Sequence, residues 1–548
     1  MKNNKLLFNY IPVICVVFLI AGLFLGKFLY QNTSNSTPLF YGNSEGKVDE
    51  VIEKVVENYV DPVNKKEITE YAIKNLLAHL DPHSSYTPPK NVQAEQEQLS
   101  GKFEGIGIEF RIIDDTLMVV NSINGGPSEK AGILAGDRII GLNNQKISLG
   151  KLPSDSLVRK LRGKAGSHLE LIILRPFDEG EITIPVTRGE IPIFSVDVQI
   201  MLNEDVGYIR INRFSSETYP EFKNSVKTLQ KMGARKLVID VRDNPGGYLM
   251  PVVDICDALL KKGKNIVYTK GENDREIYNS RNDGEFTEMN LVVITNQKSA
   301  SASEILAGAL QDNDRAIIVG RRTFGKGLVQ TILKLSDNSR VNLTTSRYYT
   351  PSGRCIQKPF EKDKNERYHY EEIKRWENGE LYSKDSIKVN DSLKFKTLSG
   401  RIVYGGGGVI PDVFVPYDTS MNSNLLFDIL SKNLIRNYAI KFYTAKKIKG
   451  FDYDDVLQNI DSNTIVNSFK TFCKTKEVLW SEQDWRTSRK YIINKLLASI
   501  VRVRFGNNGY FKKSAEIDPD IQQALDALTS HNSGITFDNS QQKTKKND

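Results

Sequence analysis

The sequence predicts an α/β protein built from several units, and two observations carry this prediction. Between residues 205 and 355, short β-branched segments alternate with helical patterns, which is typical of a sheet covered by helices. Between 98 and 189, short strand patterns and glycine-rich turns form a separate β-rich unit. At 548 residues the chain is too long for one core, so we expect three or four units.

The N-terminus predicts a membrane anchor. Residues 11–26 form a continuous apolar run with Lys27 near its far end, and about 20 apolar residues span a bilayer core. Lys2 and Lys5 precede the run, so the positive-inside rule keeps the N-terminus in the cytoplasm and exports the rest. The alternative is a signal peptide that is cleaved on export to the periplasm, although no A-x-A-like cleavage site follows. Either way, we expect the body of the protein outside the cytoplasmic membrane.

The remaining boundaries follow shifts in composition and periodicity. Apolar residues recur at helical spacing over 48–59, and a second helix is expected near 67–79. In the core, strands are predicted for VGYIRI, KLVIDV, NIVYT, LVVIT, AIIVG and VNLTTSRYY, with helices near 218–232, 248–260 and 301–311. The predicted units are an anchor or signal segment (1–30), a polar linker (31–46), an N-terminal helical segment (47–97), the β-rich unit (98–189), the α/β core (190–417) with an insertion near 360–400, a C-terminal helical extension (418–530) and a disordered tail (531–548).

Composition excludes several classes of function. The net charge of +8 is spread along the chain with no basic stripe, so we expect no nucleic-acid partner. Cys15 lies in the apolar run, and Cys256, Cys355 and Cys473 form an odd, widely spaced set without a C-x-x-C or a Cys/His cluster. We therefore expect neither a disulfide framework nor a metal site, and no organic cofactor.

The β-rich unit carries the segment GGPSEKAGILAGDRIIGLNN, and it resembles a PDZ domain. By that resemblance, a peptide would add as a strand and place its terminal carboxylate on backbone N–H groups. The alternative is a β unit that serves packing alone. The residues that the resemblance assigns to peptide binding are Gly105, Ile106, Gly107 and Ile108 in the loop, and Leu157 and Leu161 on the helix.

The strongest chemical signal is the stretch SASASEILAGALQD followed by TFGKGLVQ. Ser301 begins a helical pattern among small residues, and Lys326 lies between two glycines in a region without histidine, so a base for this serine is a lysine rather than an imidazole. Such a lysine has to lose its proton, and burial without a carboxylate partner lowers its pKa. Ser301 with Glu304 also fits an ordinary capping box, which is the alternative.

A third segment, VIDVRDNPGGYL, predicts a strand that ends in a turn with two glycines. Gly246 and Gly247 expose backbone N–H groups, which form half of an oxyanion hole if the Ala302 N–H supplies the other half. An ordinary strand–turn–helix connection is the alternative.

Together these segments resemble the carboxyl-terminal processing peptidases, also called tail-specific proteases. LDPHSSY, the PDZ unit, GYIRI, DVRDNPGG, SASASEILAGALQD, TFGKGLVQ, YYTPSGRCI and GVIPDV follow in the family's order over about 46–416. The resemblance implies a crotonase-like α/β spiral core with an inserted PDZ domain, N-terminal helices and a Ser–Lys dyad. The roles it implies are Ser301 as nucleophile, Lys326 as general base, Gln330 orienting the lysine, Glu304 as support, and Gly246 or Gly247 with Ala302 as the oxyanion hole.

The expected function is an exported serine endopeptidase that captures proteins with apolar, flexible C-termini. The resemblance also makes Arg162, at the end of the PDZ helix, a candidate for relaying peptide binding to the active site, against the favoured interpretation of a solvated helix-end arginine. Helices over 46–80 and after 420 suit a homo-oligomer, with packing of their apolar faces within one chain as the alternative. The insertion near 360–400 and the region after 420 suit assembly or an adaptor, with structural padding as the alternative. The rivals are a catalytically silent PDZ scaffold at the membrane and an acyl-transferring serine enzyme. The second would need the motifs S-x-x-K, S-D-N and K-T-G, and the sequence does not assemble this set.

Overall fold

The computed structural model of the chain describes residues 21–22, 46–113, 116–123, 125–147, 154–175, 178, 180–361, 365–446 and 452–529. The chain forms two compact units, 1–73 and 74–548. The predicted anchor, apart from residues 21–22, most of the linker and the predicted disordered tail lie outside the described residues. Within the residues that are described, no helix combines the length and the apolar character that crossing a membrane requires.

Two helices open the described chain close to their predicted positions. They are α1 (Lys47–Asn58) and α2 (Lys65–Leu80), of which α2 begins in the first unit and ends in the second. Helix α1 ends where Tyr59 turns to extended backbone, just before Asp61 and Pro62.

A short strand and a helix that the sequence analysis did not predict lead into the PDZ unit (98–189). They are β1 (Ser85–Thr87) and α3 (Pro89–Ser100). Helix α3 has a proline at its first position and ends at Gly101 in the left-handed conformation with φ 74°, the usual signals for a helix start and stop.

The PDZ unit is an antiparallel sheet with a helix against it. Its elements are β2 (Lys102–Gly105), β3 (Ile108–Ile113), β4 (Thr116–Ser122), α4 (Pro127–Lys130), β5 (Arg138–Leu142), β6 (Gln145–Lys146), α5 (Ser154–Leu161), β7 (His168–Leu174), β8 (Ile182–Thr187) and β9 (Gly189–Pro192). The strand order is β3-β4-β5-β7-β8, while β6 pairs with β5 and β2 pairs with β9 where the chain enters and leaves the unit. Its core includes Leu117, Ile139, Leu157 and Leu171.

The following segment builds two sheets and the helices that cover one of them. Its elements are β10 (Val196–Met201), β11 (Val206–Ile211), α6 (Thr218–Lys231), β12 (Lys236–Asp240), α7 (Leu249–Leu259), β13 (Asn265–Lys270), β14 (Arg275–Asn279), β15 (Asn290–Thr295), α8 (Ala302–Asp312), β16 (Ala316–Gly320), β17 (Leu328–Lys334) and β18 (Arg340–Tyr349). The predicted strands and helices of this core lie close to the observed ones, whereas β10, β14 and β17 were not predicted.

The insertion and the segment after it add a separate two-stranded sheet and the last strand of the main sheet. They contain α9 (Asn365–Glu377), the paired strands β19 (Lys394–Lys396) and β20 (Ile402–Tyr404), and β21 (Val413–Phe414) of the main sheet. The main sheet has the order β10-β11-β12-β15-β16-β21 and is parallel except for the β10–β11 pair. The second sheet is antiparallel, with the order β1-β18-β13-β14 and with β17 paired to β18.

The main sheet is buried on both faces, so its strands are almost entirely apolar. One face packs against α6, α7 and α8 in a core that includes Phe222, Leu259 and Leu306. Because parallel strands end at one edge, the loops after β12 and β15 meet near the start of α8.

The last described part of the chain, up to residue 529, contains six α-helices. They are α10 (Asn424–Ser431), α11 (Leu434–Lys446), α12 (Tyr453–Gln458), α13 (Ser462–Lys474), α14 (Glu482–Ser514) and α15 (Pro519–Thr529). Helix α14 is interrupted at Gly506, whose φ of 58° and ψ of −148° lie outside the helical region. Helix α15 covers the second face of the main sheet, with Ile521, Ala524 and Leu528 in a common core with Val238 and Val292.

The C-terminal helices also contact the PDZ unit. Met118 and Val120 of β4 form a small buried cluster with Ile440 of α11 and Val503 of α14. Arg436 of α11 forms an ion pair with Glu109 of β3.

Candidate active site

Ser301 lies at the N-terminal end of α8 in a backbone conformation that a non-glycine residue rarely adopts. Its φ is 54° and its ψ is −112°. Hydrogen bonds to both of its backbone groups keep Ser301 in this strained conformation. The Ser301 N–H donates to Glu304 (2.9 Å), and the Tyr348 hydroxyl donates to the Ser301 carbonyl (3.1 Å). Such strain is typical of a catalytic residue that is held in place by its surroundings.

Glu304 brings Ser301 and Lys326 together. Its buried carboxylate accepts four hydrogen bonds, from the Ser301 N–H (2.9 Å), the Thr323 hydroxyl (2.5 Å), the Gly325 N–H (2.7 Å) and the Lys326 N–H (2.8 Å). Burial raises the pKa of this carboxyl, and the four donors oppose that rise. Because the same oxygen, Oε2, accepts from Ser301 and Lys326, the two backbones lie within two hydrogen-bond lengths of each other.

Lys326 lies in an environment that favours its neutral form. The side chain is partly buried, and burial lowers its pKa, while Glu304 and Asp81 act in the opposite direction. Among the described residues, Nζ forms no ion pair and no hydrogen bond. A lysine amine in its neutral form can accept a proton from a hydroxyl, and burial shifts Lys326 toward that form.

Asp81, from the LDPHSSY segment, belongs to the same region, and the sequence analysis gave it no role. Its carboxylate accepts from the N–H groups of His83 (2.8 Å) and Ser84 (2.9 Å), from the Ser84 hydroxyl (2.6 Å) and from the Thr344 hydroxyl (3.2 Å). These hydrogen bonds lower the pKa of Asp81, although burial opposes them.

The structure places Gln330 against this network. Its side-chain amide donates to the Thr344 hydroxyl (3.3 Å), which in turn donates to Asp81. No hydrogen bond joins Gln330 to Lys326 among the residues that the structure describes. Gln330 is therefore linked by hydrogen bonds to Asp81 through Thr344, and Asp81 acts on Lys326 through its charge alone.

The turn with two glycines packs directly against Ser301. A Cβ on Gly246 would lie 2.7 Å from the Ser301 Cβ, and a Cβ on Gly247 would lie 2.0 Å from the Phe214 carbonyl oxygen, so neither position accepts a side chain. The two φ angles, 103° and 146°, likewise favour glycine. The Gly246 N–H donates to the Asn244 side chain (2.8 Å).

Two other N–H groups beside the serine remain unused. Within the described part of the chain, neither the Gly247 N–H nor the Ala302 N–H donates to a protein acceptor. The Asn244 carbonyl holds this turn against α8 by accepting from the Ala300 N–H (3.0 Å) and the Ser303 hydroxyl (3.0 Å). Both N–H groups are therefore available to an acceptor that does not belong to the described chain.

The insertion supports the loop that carries Lys326. Arg375 of α9 donates to the carbonyl oxygens of Thr323 (2.7 Å) and Phe324 (3.3 Å). The Lys358 ammonium lies 4.1 Å from the centres of both the Phe324 and Tyr368 rings. From sequence, assembly, an adaptor or structural padding were the roles open to this insertion, and support of the Lys326 loop was not among them.

The PDZ unit has an apolar groove at the predicted position. A cavity of about 180 Å³ is lined by Phe103, Gly105, Ile106, Gly107, Ile108, Phe110, Val158, Leu161 and Arg162. Of the residues assigned to peptide binding, Leu157 is different, because it is fully buried in the core of the unit. Val158 takes its place on the wall of the groove.

Arg162 lies between this groove and helix α3. Its guanidinium forms an ion pair with Glu97 of α3 and stacks on the Phe103 ring, 4.8 Å from the ring centre. The side chain is 42% exposed, so the ion pair is only partly shielded from water.

Comparisons with known proteins assign the parts of the chain. Residues 205–365 match the profile of peptidase family S41, and residues 118–175 match that of a PDZ domain. Residues 425–506, in the C-terminal helices, match a family of unknown function, DUF8443.

Individual relatives agree with these matches. The carboxy-terminal-processing protease of Bartonella bacilliformis is 36% identical over 351 residues, which cover 62% of this chain and 80% of that protein. The carboxy-terminal processing protease CtpB of Bacillus subtilis is 34% identical over 318 residues, which cover 57% of this chain and 65% of that protein. A solved structure, the photosystem II D1 C-terminal processing protease, is 30% identical and covers 58% of this chain and 85% of its own, with a TM-score of 0.33.

Proposed function

Because the chain belongs to peptidase family S41, with the carboxy-terminal processing proteases, and is a serine-type peptidase with a PDZ domain, we propose that it captures proteins by their C-terminal tail and cleaves them with a Ser301–Lys326 dyad. The observation that carries this proposal is the carboxylate of Glu304, which holds the backbones of a strained serine and a partly buried lysine on one oxygen.

The proposed reaction proceeds through an acyl-enzyme. The Ser301 hydroxyl attacks the scissile carbonyl carbon while the neutral Lys326 amine takes its proton. When the C–N bond breaks, Lys326 returns that proton to the leaving amine. Water then attacks the ester on Ser301, and Lys326 takes a proton from the water and passes it to the serine oxygen as the acid product leaves.

The oxyanion formed in each step would accept hydrogen bonds from Gly247 and Ala302. Of the two glycines, we assign this role to Gly247, because the Gly246 N–H is already bonded to Asn244. The N-terminus of α8 adds a favourable field for the negative charge.

The groove of the PDZ unit suits an apolar C-terminal residue. Phe110, Val158 and Leu161 give its walls their apolar character, and the loop 105–108 offers backbone N–H groups to a terminal carboxylate. A substrate bound in this way adds a strand to the unit and leaves the chain upstream of the tail free to reach Ser301.

Two further parts of the proposal concern architecture and location. We assign the main sheet with its covering helices to a crotonase-like spiral. The apolar run at 11–26 supports an anchor in the cytoplasmic membrane with the catalytic body outside the cytoplasm, or export followed by cleavage of this segment.

The proposal predicts that cleavage depends on a free C-terminal carboxylate. An unfolded polypeptide that ends in three apolar residues should be cut, and amidation of its C-terminus should raise KM about tenfold, because a charge-assisted hydrogen bond worth roughly 1.5–3 kcal/mol is lost. Rates are measured over a range of substrate concentrations for both forms. Tail binding without any cleavage product would support a silent scaffold. Equal KM values for the two forms would contradict tail capture but would remain consistent with a peptidase.

A second prediction concerns Arg162, which we propose relays tail binding to the active site through Glu97 of α3. Arg162→Ala should lower peptide-stimulated turnover about fivefold while leaving the peptide affinity unchanged. Arg159→Ala removes the same charge from an exposed position on the same helix and should behave like the wild type. Unchanged turnover of Arg162→Ala would show that Arg162 is only a solvated helix-end residue.

A further inference from the structure

Asp520, in the first turn of α15, is a buried carboxylate that contacts two arginines. It accepts a bidentate pair of hydrogen bonds from Arg321 (3.0 and 2.9 Å) and a third from Arg242 (2.9 Å). The Asp520 side chain is 4% exposed, and those of Arg321 and Arg242 are 9% and 14% exposed. The tail-capture mechanism described above makes no use of this cluster.

The two arginines lie at the beginnings of the two catalytic segments. Arg242 follows β12 and precedes the turn that carries Gly247. Arg321 follows β16 and precedes the loop that carries Lys326. One carboxylate of the C-terminal helix therefore joins the segment with the proposed oxyanion donor to the segment with the proposed base.

The two arginines depend on Asp520 to different extents. Arg242 has two further carboxylate partners, Asp240 (2.6 Å) and Asp518 (3.0 Å). Arg321 has Asp520 as its ion-pair partner within the described residues, and its side chain otherwise donates to the Val415 carbonyl (3.1 Å) and, over a long distance, to Gln297 (3.4 Å). Its backbone is bonded to Thr295 through both its N–H and its carbonyl (3.0 Å each). Loss of the Asp520 charge therefore leaves the Arg321 side chain buried without a counter-ion, which favours movement of that side chain and of the loop that follows it.

We propose that Asp520 is a positioning residue of the peptidase, which holds the Lys326 loop and the Gly247 turn in register through Arg321 and Arg242. The inference rests on the proposed Ser301–Lys326 dyad. It gives the C-terminal helix a part in the reaction, although α15 provides no group that touches the substrate.

The test compares Asp520→Asn with the wild type on the tail-bearing polypeptide. The isosteric amide keeps the volume and removes the charge, so kcat should fall about 30-fold while KM and the affinity for a labelled tail peptide stay within twofold. The pH at which activity appears should not change. The pKa of Lys326 is set by the burial of its side chain and by the charges of Glu304 and Asp81, not by Asp520. Asp526→Asn, at an exposed position of the same helix, should retain the wild-type kcat.

Arg321→Lys provides a second route to the same conclusion. It keeps the charge and loses the bidentate fork, so kcat should fall about tenfold with KM unchanged. Wild-type kcat in folded Asp520→Asn would overturn the inference, and if that variant does not fold, wild-type kcat in Arg321→Lys would overturn it. Absence of cleavage by the wild type itself would instead refute the proposed dyad.

Discussion

Ser301→Ala should lower kcat on a tail-bearing substrate by about 10⁴-fold or more, and Lys326→Met by about 10³- to 10⁴-fold. The first variant removes the attacking oxygen. The second keeps the length and packing of the side chain but removes the amine that takes the serine proton. Both variants should bind a tail peptide with unchanged affinity, because the groove of the PDZ unit is formed by other residues.

The pH dependence of the wild type separates a lysine base from other bases. Activity should fall as the pH drops through the pKa of Lys326, because the ammonium cannot accept the serine proton, and burial places this fall below the ordinary lysine value of about 10.4. The measurement is kcat against pH, with Lys334→Met, an exposed lysine beyond the catalytic loop, as the control. Substantial activity in Lys326→Met would show that another group is the base.

Glu304→Gln should lower kcat by about 10²- to 10³-fold and also lower the melting temperature. An amide has one accepting oxygen, so its NH₂ group would face two of the four donors that now bind the carboxylate. Depending on how the amide is turned, either Ser301 and Lys326 or Thr323 and Gly325 would have to move. Both effects arise because the same contacts hold the fold and the dyad.

The pH profile of this variant provides a sharper test than its rate. The negative charge of Glu304 raises the pKa of Lys326, so its removal should shift the acid side of the profile to lower pH while the maximum falls. Glu377→Gln, at an exposed position on α9, should change neither quantity. A shift to higher pH, or none, would mean that Glu304 does not act on the lysine through its charge.

The sequence could predict those contacts of the site that form between residues close together in the chain. The S-x-x-E pattern located Ser301 and Glu304 because one helical turn brings them together. The same pattern could not show that Glu304 also binds Gly325 and Lys326, since that contact depends on how β16 and the following loop return to α8. The capping interpretation was therefore correct but incomplete.

Asp81 could not be found in this way at all. Its contact with Thr344 spans 263 residues, and no spacing rule connects a helix end to a strand that far along the chain. His83 shows the same limit, because the region around Lys326 contains no histidine in sequence, yet the His83 ring lies 6.4 Å from the Phe324 ring, centre to centre. Contacts between residues far apart in the sequence can be identified only once the packed sheets are known.

Two kinds of element were missed in the fold. The start and stop signals of α3, a proline and a glycine, were present in the sequence but flank a polar helix with no buried residue, so apolar periodicity gave no sign of it. Strand β14 is mostly exposed and carries charged and polar residues, while β17, LVQTILK, is exposed over its last four positions although it is largely apolar. Neither sequence alternates between apolar and polar residues in the way that marks a half-buried strand. The buried parallel strands were predictable because burial on both faces makes them continuous apolar runs.

The ion pair between Asp520 and Arg321 joins residues that are 199 positions apart. A ribosome releases the N-terminal part of a chain first, so both arginines and the dyad emerge well before their shared carboxylate. If Asp520 positions the catalytic loops, a nascent or truncated chain would hold Ser301 and Lys326 without aligning them. The order of synthesis would then act as a safeguard, because proteolysis begins only after α15 has been made and has docked on the finished sheet.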